Sequence, residues 1–248
     1  MSDYPLMSIV IASYKRSGYL HHQLNSLRKN INYPNYEIIV SDDGSEENDL
    51  RQKITNKFGA KLLLNEHGGM GATFNAAIRV AEGNYLLHLE DDWECTRDCL
   101  RHEIQIMQTW DDIGCVRVAR SAQRESLPIY ELRSLDYGEV VQIIGDHPPR
   151  AWAFNGAPRL QLKNIYEQIG YYREDLCPGD ADTNLSQRFH ETYNKRVAFL
   201  KRSFKHFGHH SAGGWREKHK DLGHWGDRYP DVIPMDFDEK IFQKKGLV

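Results

Sequence analysis

Short apolar runs alternate with amphipathic segments through the first half of the chain. Runs with β character lie at residues 7–12, 36–41, 61–64, 86–90 and 115–118. Between these runs, apolar residues recur at helical spacing, as at Leu20, Leu24 and Leu27. Five strands that alternate with four helices predict an α/β fold, with a parallel sheet and helices on both of its faces.

The second half of the chain has weaker periodicity. The patterns there predict irregular structure or short antiparallel strands at 127–144, a strand and turn at 151–156, helices at 161–169 and from 180, and a strand at 196–200. The tail from Lys201 is rich in His, Gly and Trp and carries no clear period.

Polar side chains follow the predicted strands at the points where the strands end. Because the carboxyl ends of parallel strands form one edge of a sheet, and ligands bind at that edge, these side chains are expected to lie near one another. They are Ser13, Asp42, Asp43, Asn65, Asp91 and Asp92.

The strand that ends in Glu90, Asp91 and Asp92 carries the clearest chemical signal. On an extended strand, Glu90 and Asp92 point one way and Asp91 points the other. Neighbouring like charges raise the free energy unless a cation lies among them, and carboxylate oxygens suit Mg²⁺ or Mn²⁺. The alternative interpretation is an acidic turn that caps the following helix.

Composition and charge narrow the classes of partner. The chain is 40% hydrophobic and 27% charged with a net charge of −3, so nothing in the overall charge points to nucleic acid or to membranes. No apolar run approaches the roughly 20 residues of a membrane-spanning helix. We therefore expect a cytoplasmic protein without a transmembrane segment. Four cysteines without metal-binding spacing favour reduced, structural thiols.

A glycine-rich turn at residues 67–73 invites a phosphate-loop hypothesis. The turn lacks the Gly-Lys-Ser/Thr of a Walker loop, and its glycines miss the Gly-x-Gly-x-x-Gly spacing. A close-approach turn at the start of a helix is the interpretation that remains.

Three stretches resemble the nucleotide-binding half of family 2 glycosyltransferases, which have the GT-A fold. They are SIVIASYKR from Ser8, EIIVSDDGS from Glu37, and NEHGGMGATFNAAIRVAEGNYLLHLEDDWE from Asn65. They carry four family features in the family's order, including the Asp-Asp-Gly-Ser end of a strand and an acidic tip of the Asp-x-Asp type. The resemblance implies a Rossmann-like, mostly parallel sheet flanked by helices, with a smaller mixed region on the acceptor side.

The resemblance continues more faintly through residues 152–188. The segment that runs from Trp152 to Pro158 is similar to the one that lines the family's acceptor side, and Asp182 to Arg188 aligns with its Glu-Asp-x-Asp-Leu-x-x-Arg pattern. Ala181 stands where the family usually has Glu, and Asn184 where it often has Asp. Asp182 keeps the position of the catalytic carboxylate.

By resemblance, the first half forms a pocket for a nucleoside diphosphate sugar. Asp43, together with Asp42, is expected to hydrogen-bond the base, and Asp91 is expected to meet the ribose. The residues expected to shape the pocket are Ser13, Arg16, Asn65, Gly69 and Asn75.

A metal site and an acceptor side follow from the same resemblance. Asp92 is expected to bind the Mn²⁺ or Mg²⁺ that bridges the phosphates, with Glu90 in place of the family's usual first Asp. A histidine after the last strand completes the metal shell in many GT-A enzymes, and His206 is the best placed, ahead of His209 and His210. The expected sugar and acceptor contacts are Trp93, Trp152 and Asn155.

An acceptor hydroxyl has to lose a proton, so an inverting enzyme needs a carboxylate base. Asp182 is the candidate, and a helix N-cap is the alternative role for it. The resemblance implies a single GT-A domain, with a nucleotide-sugar-binding half at 1–120, an acceptor-side half at 121–205 and a C-terminal tail or lid at 206–248.

The expected function is metal-dependent, inverting transfer of a sugar from a nucleoside diphosphate donor to a hydroxyl of a saccharide or another acceptor. One alternative is a nucleotidyltransferase, although SYKRSG after the first strand is a poor match to the basic glycine-rich loop of that class. Another is a binding module without catalysis, which Ala181 and Glu90 suggest. Release of nucleoside diphosphate rather than pyrophosphate separates the two enzyme classes.

Overall fold

The computed structural model describes residues 4–46, 48–97, 100–118, 129–135, 140–144, 156–176, 178–193, 195–200 and 204–206. The helices are α1 Ser17–Asn30, α2 Asn48–Phe58, α3 Gly69–Val80, α4 Leu100–Thr109, α5 Ile165–Ile169 and α6 Pro178–Arg188, which continues into a π-helical turn, Phe189–Tyr193. The strands are β1 Met7–Ser13, β2 Tyr36–Asp42, β3 Lys61–Leu64, β4 Tyr85–Glu90, β5 Trp93–Cys95, β6 Ile113–Val118, β7 Ile129–Ser134, β8 Val140–Ile144, β9 Arg159–Leu162, β10 Arg196–Leu200 and β11 Phe204–His206.

The larger sheet has the order β3-β2-β1-β4-β9-β6-β10-β8-β7 among the residues that the structure describes. Strands β1 to β4 pair in parallel, as do β6 and β10. Strand β9 lies antiparallel between β4 and β6, and β8 lies antiparallel to both β10 and β7. The prediction of an α/β fold around a mostly parallel sheet is confirmed.

Helices cover both faces of this sheet because the strand side chains alternate between two cores. In β1, Met7, Ile9 and Ile11 pack into one cluster, which also contains buried residues of α1, α2 and α4. Val10 packs into the other cluster, which contains buried residues of α3, α5 and α6. This period of two is the one expected of a strand buried on both faces.

The second half of the chain confirms some predictions and corrects one. Strands β7 and β8 form the short antiparallel pair that was one of the two expectations for that region, and β10 lies at the predicted position. The predicted helix at 161–169 is wrong in its first part, because residues 159–162 form β9 and the helix covers only 165–169. These residues form a strand because they pair antiparallel with β4 on one side and with β6 on the other. The strand and turn expected at 151–156 lie mostly outside the described residues.

Strand β11 brings part of the tail back to the acidic tip. It pairs antiparallel with β5, and the register sets residue 206 opposite Trp93, the residue that follows Asp92. The tail from residue 207 and the lid expected near residues 211–216 lie outside the described part of the chain.

Within the described ranges, no helix has the length and apolar character needed to cross a membrane.

We predict that Gly83→Ala destabilises the fold. Gly83 precedes β4, its N–H donates to Ser8 Oγ at 2.8 Å, and an added Cβ would lie 2.6 Å from the backbone nitrogen of Ser8. The Ser8 backbone cannot move away as a flexible side chain can. We therefore expect chemical denaturation to show a loss of about 1 to 3 kcal/mol in the free energy of unfolding.

The matched control is Gly179→Ala, since Gly179 lies in α6 and an added Cβ there meets nothing within 4 Å. That change should leave stability unchanged or raise it by up to about 1 kcal/mol, because alanine favours helix. Equal stability of the two variants would contradict the prediction.

Candidate functional site

The carboxyl ends of β1 and β4 meet at Asp91, whose side chain is fully buried. Ser13 Oγ donates to Asp91 Oδ2 at 2.8 Å, and the Arg16 guanidinium pairs with Asp91 Oδ1. The same guanidinium lies 3.5 Å from Asp92 Oδ2 through its other terminal nitrogen. One arginine from the loop after β1 therefore bridges the two aspartates.

A second arginine extends this network to β2. Arg51 on α2 is fully buried, and its Nη1 lies 2.9 Å both from Asp42 Oδ1 and from Ser13 Oγ. Asp42 also accepts hydrogen bonds from the backbone N–H and the hydroxyl of Ser45, each at 2.7 Å. We call Asp42, Arg51, Ser13, Asp91, Arg16 and Asp92 the edge network.

The expected alternation of side chains at the acidic tip is wrong. Asp91 and Asp92 both lie beside Arg16, so they do not point to opposite sides. The reason is that β4 ends at Glu90, and residues 91 and 92 form a turn in which the strand period no longer applies. Glu90 is half-buried, and its carbonyl accepts a hydrogen bond from Gln23 Nε2 at 2.5 Å.

Burial governs the proton affinity of Asp91. Removal from water raises the pKa of Asp91 to about 6, and the Arg16 guanidinium opposes that rise by favouring the charged carboxylate. The charge of Asp92 acts in the same direction as burial.

Two residues assigned to the nucleotide pocket hold the loop before α3. Asp43 Oδ1 accepts hydrogen bonds from the backbone N–H groups of Gly68 and Gly69, at 2.9 and 3.0 Å. Its Oδ2 lies 3.1 Å from His67 Nδ1. Gly69 has φ of +80°, a left-handed conformation that favours glycine. The glycine-rich turn is thus fixed by a carboxylate of the neighbouring strand end.

Asn65 and Asn75 have backbone partners. Asn65 Nδ2 donates to Ser41 Oγ at 2.9 Å and to the Asp42 carbonyl at 2.7 Å. Asn75 on α3 is buried, accepts the Tyr172 N–H and donates to the Tyr172 carbonyl, both at 3.0 Å. Asn75 therefore joins the first half of the chain to the segment between α5 and α6.

The expected metal ligands are only partly described. Within the described residues, no three His, Cys, Asp or Glu side chains form a group that could hold a metal ion. Asp92 offers carboxylate oxygens, which are the donors that Mg²⁺ and Mn²⁺ prefer, and such ions are commonly held by one or two carboxylates with phosphates completing the shell. The donor chemistry at Asp92 therefore fits. The side chain of His206 lies outside the described set, although its backbone pairs with Trp93.

Among the expected sugar contacts, Trp93 belongs to the described residues. Trp93 is 2% exposed and packs in the same core cluster as α1, so its ring has little surface to offer a sugar. Trp152 and Asn155 lie outside the described residues.

Asp182 lies inside α6 and therefore is not the helix N-cap that was its alternative role. Its side chain is 16% exposed, and its Oδ1 accepts a hydrogen bond from the Tyr172 hydroxyl at 3.3 Å. Arg159 Nη1 lies 3.6 Å from the same oxygen. Burial raises the pKa of Asp182, and the guanidinium groups of Arg159 and Arg117 offset part of that rise.

The strand register relates Asp182 to the acidic tip. Arg159 opens β9 and pairs with His88 of β4, two residues before Glu90. Since β9 runs antiparallel to β4, its first residue lies toward the carboxyl end of β4, where Asp91 and Asp92 follow. Arg159, which lies beside Asp182, and the edge network thus belong to the same end of the sheet.

Three buried residues escaped the sequence reasoning: Arg51, Arg159 and Tyr172. Leu50, Ile54 and Phe58 recur at helical spacing along α2, and Arg51 does not belong to that apolar pattern, so the periodicity gives no sign that it is buried. In β9, the alternation of Arg159 and Gln161 with two leucines was the available signal, since two polar side chains on one face of a covered strand have to share partners.

Solved structures with this fold include glycosyltransferases. Staphylococcus aureus TarS (residues 1–349) in complex with UDP-GlcNAc is similar over 83% of this chain and 60% of that chain, with a TM-score of 0.56 and 19% identity. The mannosyltransferase PcManGT from Pyrobaculum calidifontis, in complex with GDP-Man and Mn²⁺, gives a TM-score of 0.59 at 15% identity over 86% of this chain and 60% of that chain. The sheet, its covering helices and its polar edge define a protein of the GT-A fold.

The sequence comparison gives the family. The family model described as "Glycosyl transferase family 2" matches residues 8–157, and the chain belongs to that family of glycosyltransferases. An uncharacterized glycosyltransferase from Rickettsia prowazekii is 33% identical over 110 residues, which are 44% of this chain and 34% of that protein. Poly-beta-1,6-N-acetyl-D-glucosamine synthase of Staphylococcus epidermidis is 24% identical over 183 residues, 70% of this chain and 43% of that protein. The chain therefore spans less than half the length of these relatives.

We predict that Arg51→Met lowers stability sharply. The change leaves the buried Asp42 carboxylate without its guanidinium partner, and loss of one member of a buried ion pair costs about 3 to 5 kcal/mol. Chemical denaturation measures the difference. Adding Asp42→Asn to that variant should restore part of the loss, because the group left behind is then neutral.

Arg28→Met is the control, because Arg28 donates to the Lys57 carbonyl in an exposed contact at 3.0 Å and lies outside the edge network. A change within about 0.5 kcal/mol is expected there. The prediction fails if Arg51→Met is as stable as the control.

Proposed function

We propose that this chain transfers a sugar from a nucleoside diphosphate sugar to a hydroxyl of a saccharide or another acceptor, with inversion at the anomeric carbon. The observation that carries the proposal is that Asp182, mostly buried beside Arg159, belongs to the same end of the sheet as the edge network. Family membership supplies the reaction class.

The donor is assigned to the carboxyl ends of β1, β2 and β4. In the proposal, Asp43 and the loop before α3 recognise the base, and Asp91 meets the ribose. Arg16 and Arg51 supply the positive charge that keeps the buried carboxylates of this edge together. The relatives whose structures hold UDP-GlcNAc or GDP-Man support a nucleotide sugar as donor.

Asp92 is the proposed ligand of a divalent ion, with His206 and Glu90 as further candidates. When bound, Mn²⁺ or Mg²⁺ supplies positive charge to the diphosphate leaving group. The Mn²⁺ in the PcManGT complex and the oxygen donors of Asp92 support this part of the proposal.

Asp182 is the proposed general base. Its carboxylate takes the proton of the acceptor hydroxyl, the acceptor oxygen forms a bond to the anomeric carbon, and the bond from that carbon to the diphosphate breaks. Burial makes Asp182 a stronger base than an aspartate in water, since it raises the pKa of the carboxyl. The halves at 1–120 and 121–205 correspond in this proposal to donor and acceptor sides.

A binding module without catalysis is the second candidate. Ala181 is fully buried where the family usually has Glu, so that position offers no second carboxylate. Release of nucleoside diphosphate from a panel of nucleotide sugars separates the two functions, and family membership favours glycosyl transfer over nucleotidyl transfer.

We predict that Asp92→Asn removes the Mn²⁺-dependent part of nucleoside diphosphate binding. UDP and GDP are tested with and without Mn²⁺ by thermal shift, because a ligand at about 100 times its Kd adds about 2.7 kcal/mol of stability. Glu94→Gln is the control, since Glu94 lies two residues further on and faces His22 at 3.7 Å. Retained Mn²⁺ dependence in Asp92→Asn would remove Asp92 from the metal site.

We predict that Asp182→Asn abolishes transfer while donor binding survives. An asparagine keeps the shape but takes up no proton, and general base catalysis contributes about 10²- to 10⁴-fold in rate. Nucleoside diphosphate release measures turnover, and thermal shift measures donor binding. Asp180→Asn is the matched control, because Asp180 is an exposed aspartate of the same helix. Substantial turnover in Asp182→Asn would refute the assignment.

A further inference from the structure

We propose that Tyr172 and Arg159 are positioning residues for Asp182: together they fix the orientation and the charge state of the proposed base. This inference rests on the proposed function. It assigns the two residues no contact with donor or acceptor, and their effect on the reaction passes through the Asp182 carboxylate.

The hydroxyl of Tyr172 has one donor and one acceptor contact. It donates to Asp182 Oδ1 at 3.3 Å, and it accepts a hydrogen bond from Arg159 Nη2. Burial raises the pKa of Tyr172 well above its ordinary value, so the hydroxyl stays protonated at working pH. A proton donor therefore faces Asp182 at every pH at which the protein is used.

The ring and the backbone of Tyr172 are fixed independently of its hydroxyl. Its ring stacks on Phe74 of α3 with the ring centres 5.6 Å apart. Its N–H and carbonyl both bond to the side chain of Asn75, one residue further along α3. These contacts attach Tyr172 to α3, the helix that begins at the glycine-rich turn. Through its bond to Tyr172, Asp182 is therefore positioned relative to the proposed donor side.

Hydrogen bonds also fix the position of Arg159. It is 2% exposed, and its Nε donates to Gln161 Oε1 while its Nη1 donates to the Gly156 carbonyl, each at 3.0 Å. Its Nη1 lies 3.6 Å from Asp182, beyond a close ion pair. The guanidinium stabilises the carboxylate by its charge and delivers a direct hydrogen bond to the tyrosine, which in turn bonds the aspartate.

Loss of either group changes the pKa of Asp182 in a predictable direction. The Tyr172 hydrogen bond and the Arg159 charge both favour the ionised carboxylate, as does the charge of Arg117 on β6, and the ionised carboxylate is the active base. Removing either one raises the pKa of Asp182 further. The acidic limb of the kcat profile then moves to higher pH, since a larger share of the enzyme is protonated at any given acidic pH.

The test uses Tyr172→Phe, which keeps the ring against Phe74 and removes only the hydroxyl. We expect kcat to fall about threefold to tenfold, which corresponds to one hydrogen bond. KM for the donor should stay unchanged, and the acidic limb should move up by about half a unit to one unit. Arg159→Gln should move the limb in the same direction, and Arg159→Lys, which keeps the charge, should move it less.

Tyr171→Phe is the matched control. It removes a hydroxyl from the preceding residue, and among the described residues that hydroxyl makes no hydrogen bond to Asp182. Its kcat and pH profile should equal those of the wild type. Circular dichroism and thermal unfolding of each variant separate a folding defect from loss of positioning, and Tyr172→Phe carries the test if Arg159→Gln fails to fold.

The outcomes distinguish this inference from the proposed function. If Asp182→Asn is inactive while Tyr172→Phe has the kcat and pH profile of the wild type, the positioning role is overturned and the base assignment stands. If Asp182→Asn keeps its turnover, the proposed function itself fails. A lower kcat in Tyr172→Phe with an unmoved acidic limb also overturns the inference, because it indicates a structural effect only.

Discussion

The candidate donor site depends on the pairing of buried carboxylates with two buried or nearly buried arginines. Asp42 and Asp91 are fully buried at the ends of β2 and β4, the two strands that flank β1, and isolated negative charges there would oppose folding. Arg51 joins Asp42 to Ser13, Ser13 joins Asp91, and Arg16 reaches Asp91 and Asp92. The same contacts therefore fix the ends of β1, β2 and β4 and make an acidic edge compatible with a folded protein.

The strands and the polar edge could be predicted because they follow from local pattern and from topology. Apolar runs of strand length separated by amphipathic helices leave few arrangements, and parallel strands bring their carboxyl ends together. Arg51 could not be found in this way, because its burial depends on how the fold places it against Asp42 of β2 and against Ser13 of β1, which is 38 residues away in sequence. The acidic turn at Asp91 and Asp92 was only the alternative interpretation, and β5 rather than a capped helix follows it. Where a strand stops is decided by its partners, and the rule of alternating faces ends with the strand.

Several residues at the candidate site support the fold as well as the proposed chemistry. Asp43 caps the glycine-rich turn, Asn65 bonds the end of β2, and Asn75 holds the backbone of Tyr172. Loops at the edge of a parallel sheet contain backbone groups that no ladder satisfies, so nearby polar side chains serve them. A polar side chain that can bind a ligand can also form a hydrogen bond with an unpaired backbone group, and the sequence does not distinguish the two roles.

Burial raises the pKa of both Asp91 and Asp182, and arginine contacts the two carboxylates differently. A close, bidentate pair with arginine would stabilise the carboxylate strongly and make it a poor proton acceptor. Arg159 instead gives its short contacts to Tyr172, Gly156 and Gln161 and remains 3.6 Å from Asp182. Asp182 thus has enough positive charge nearby to ionise while buried, yet its pKa stays above the ordinary value. Arg159 of β9, Arg117 of β6 and the Tyr172 segment set that balance. The proposed role of Asp182 as the base therefore depends on the placement of side chains to which the proposal assigns no contact with the substrate.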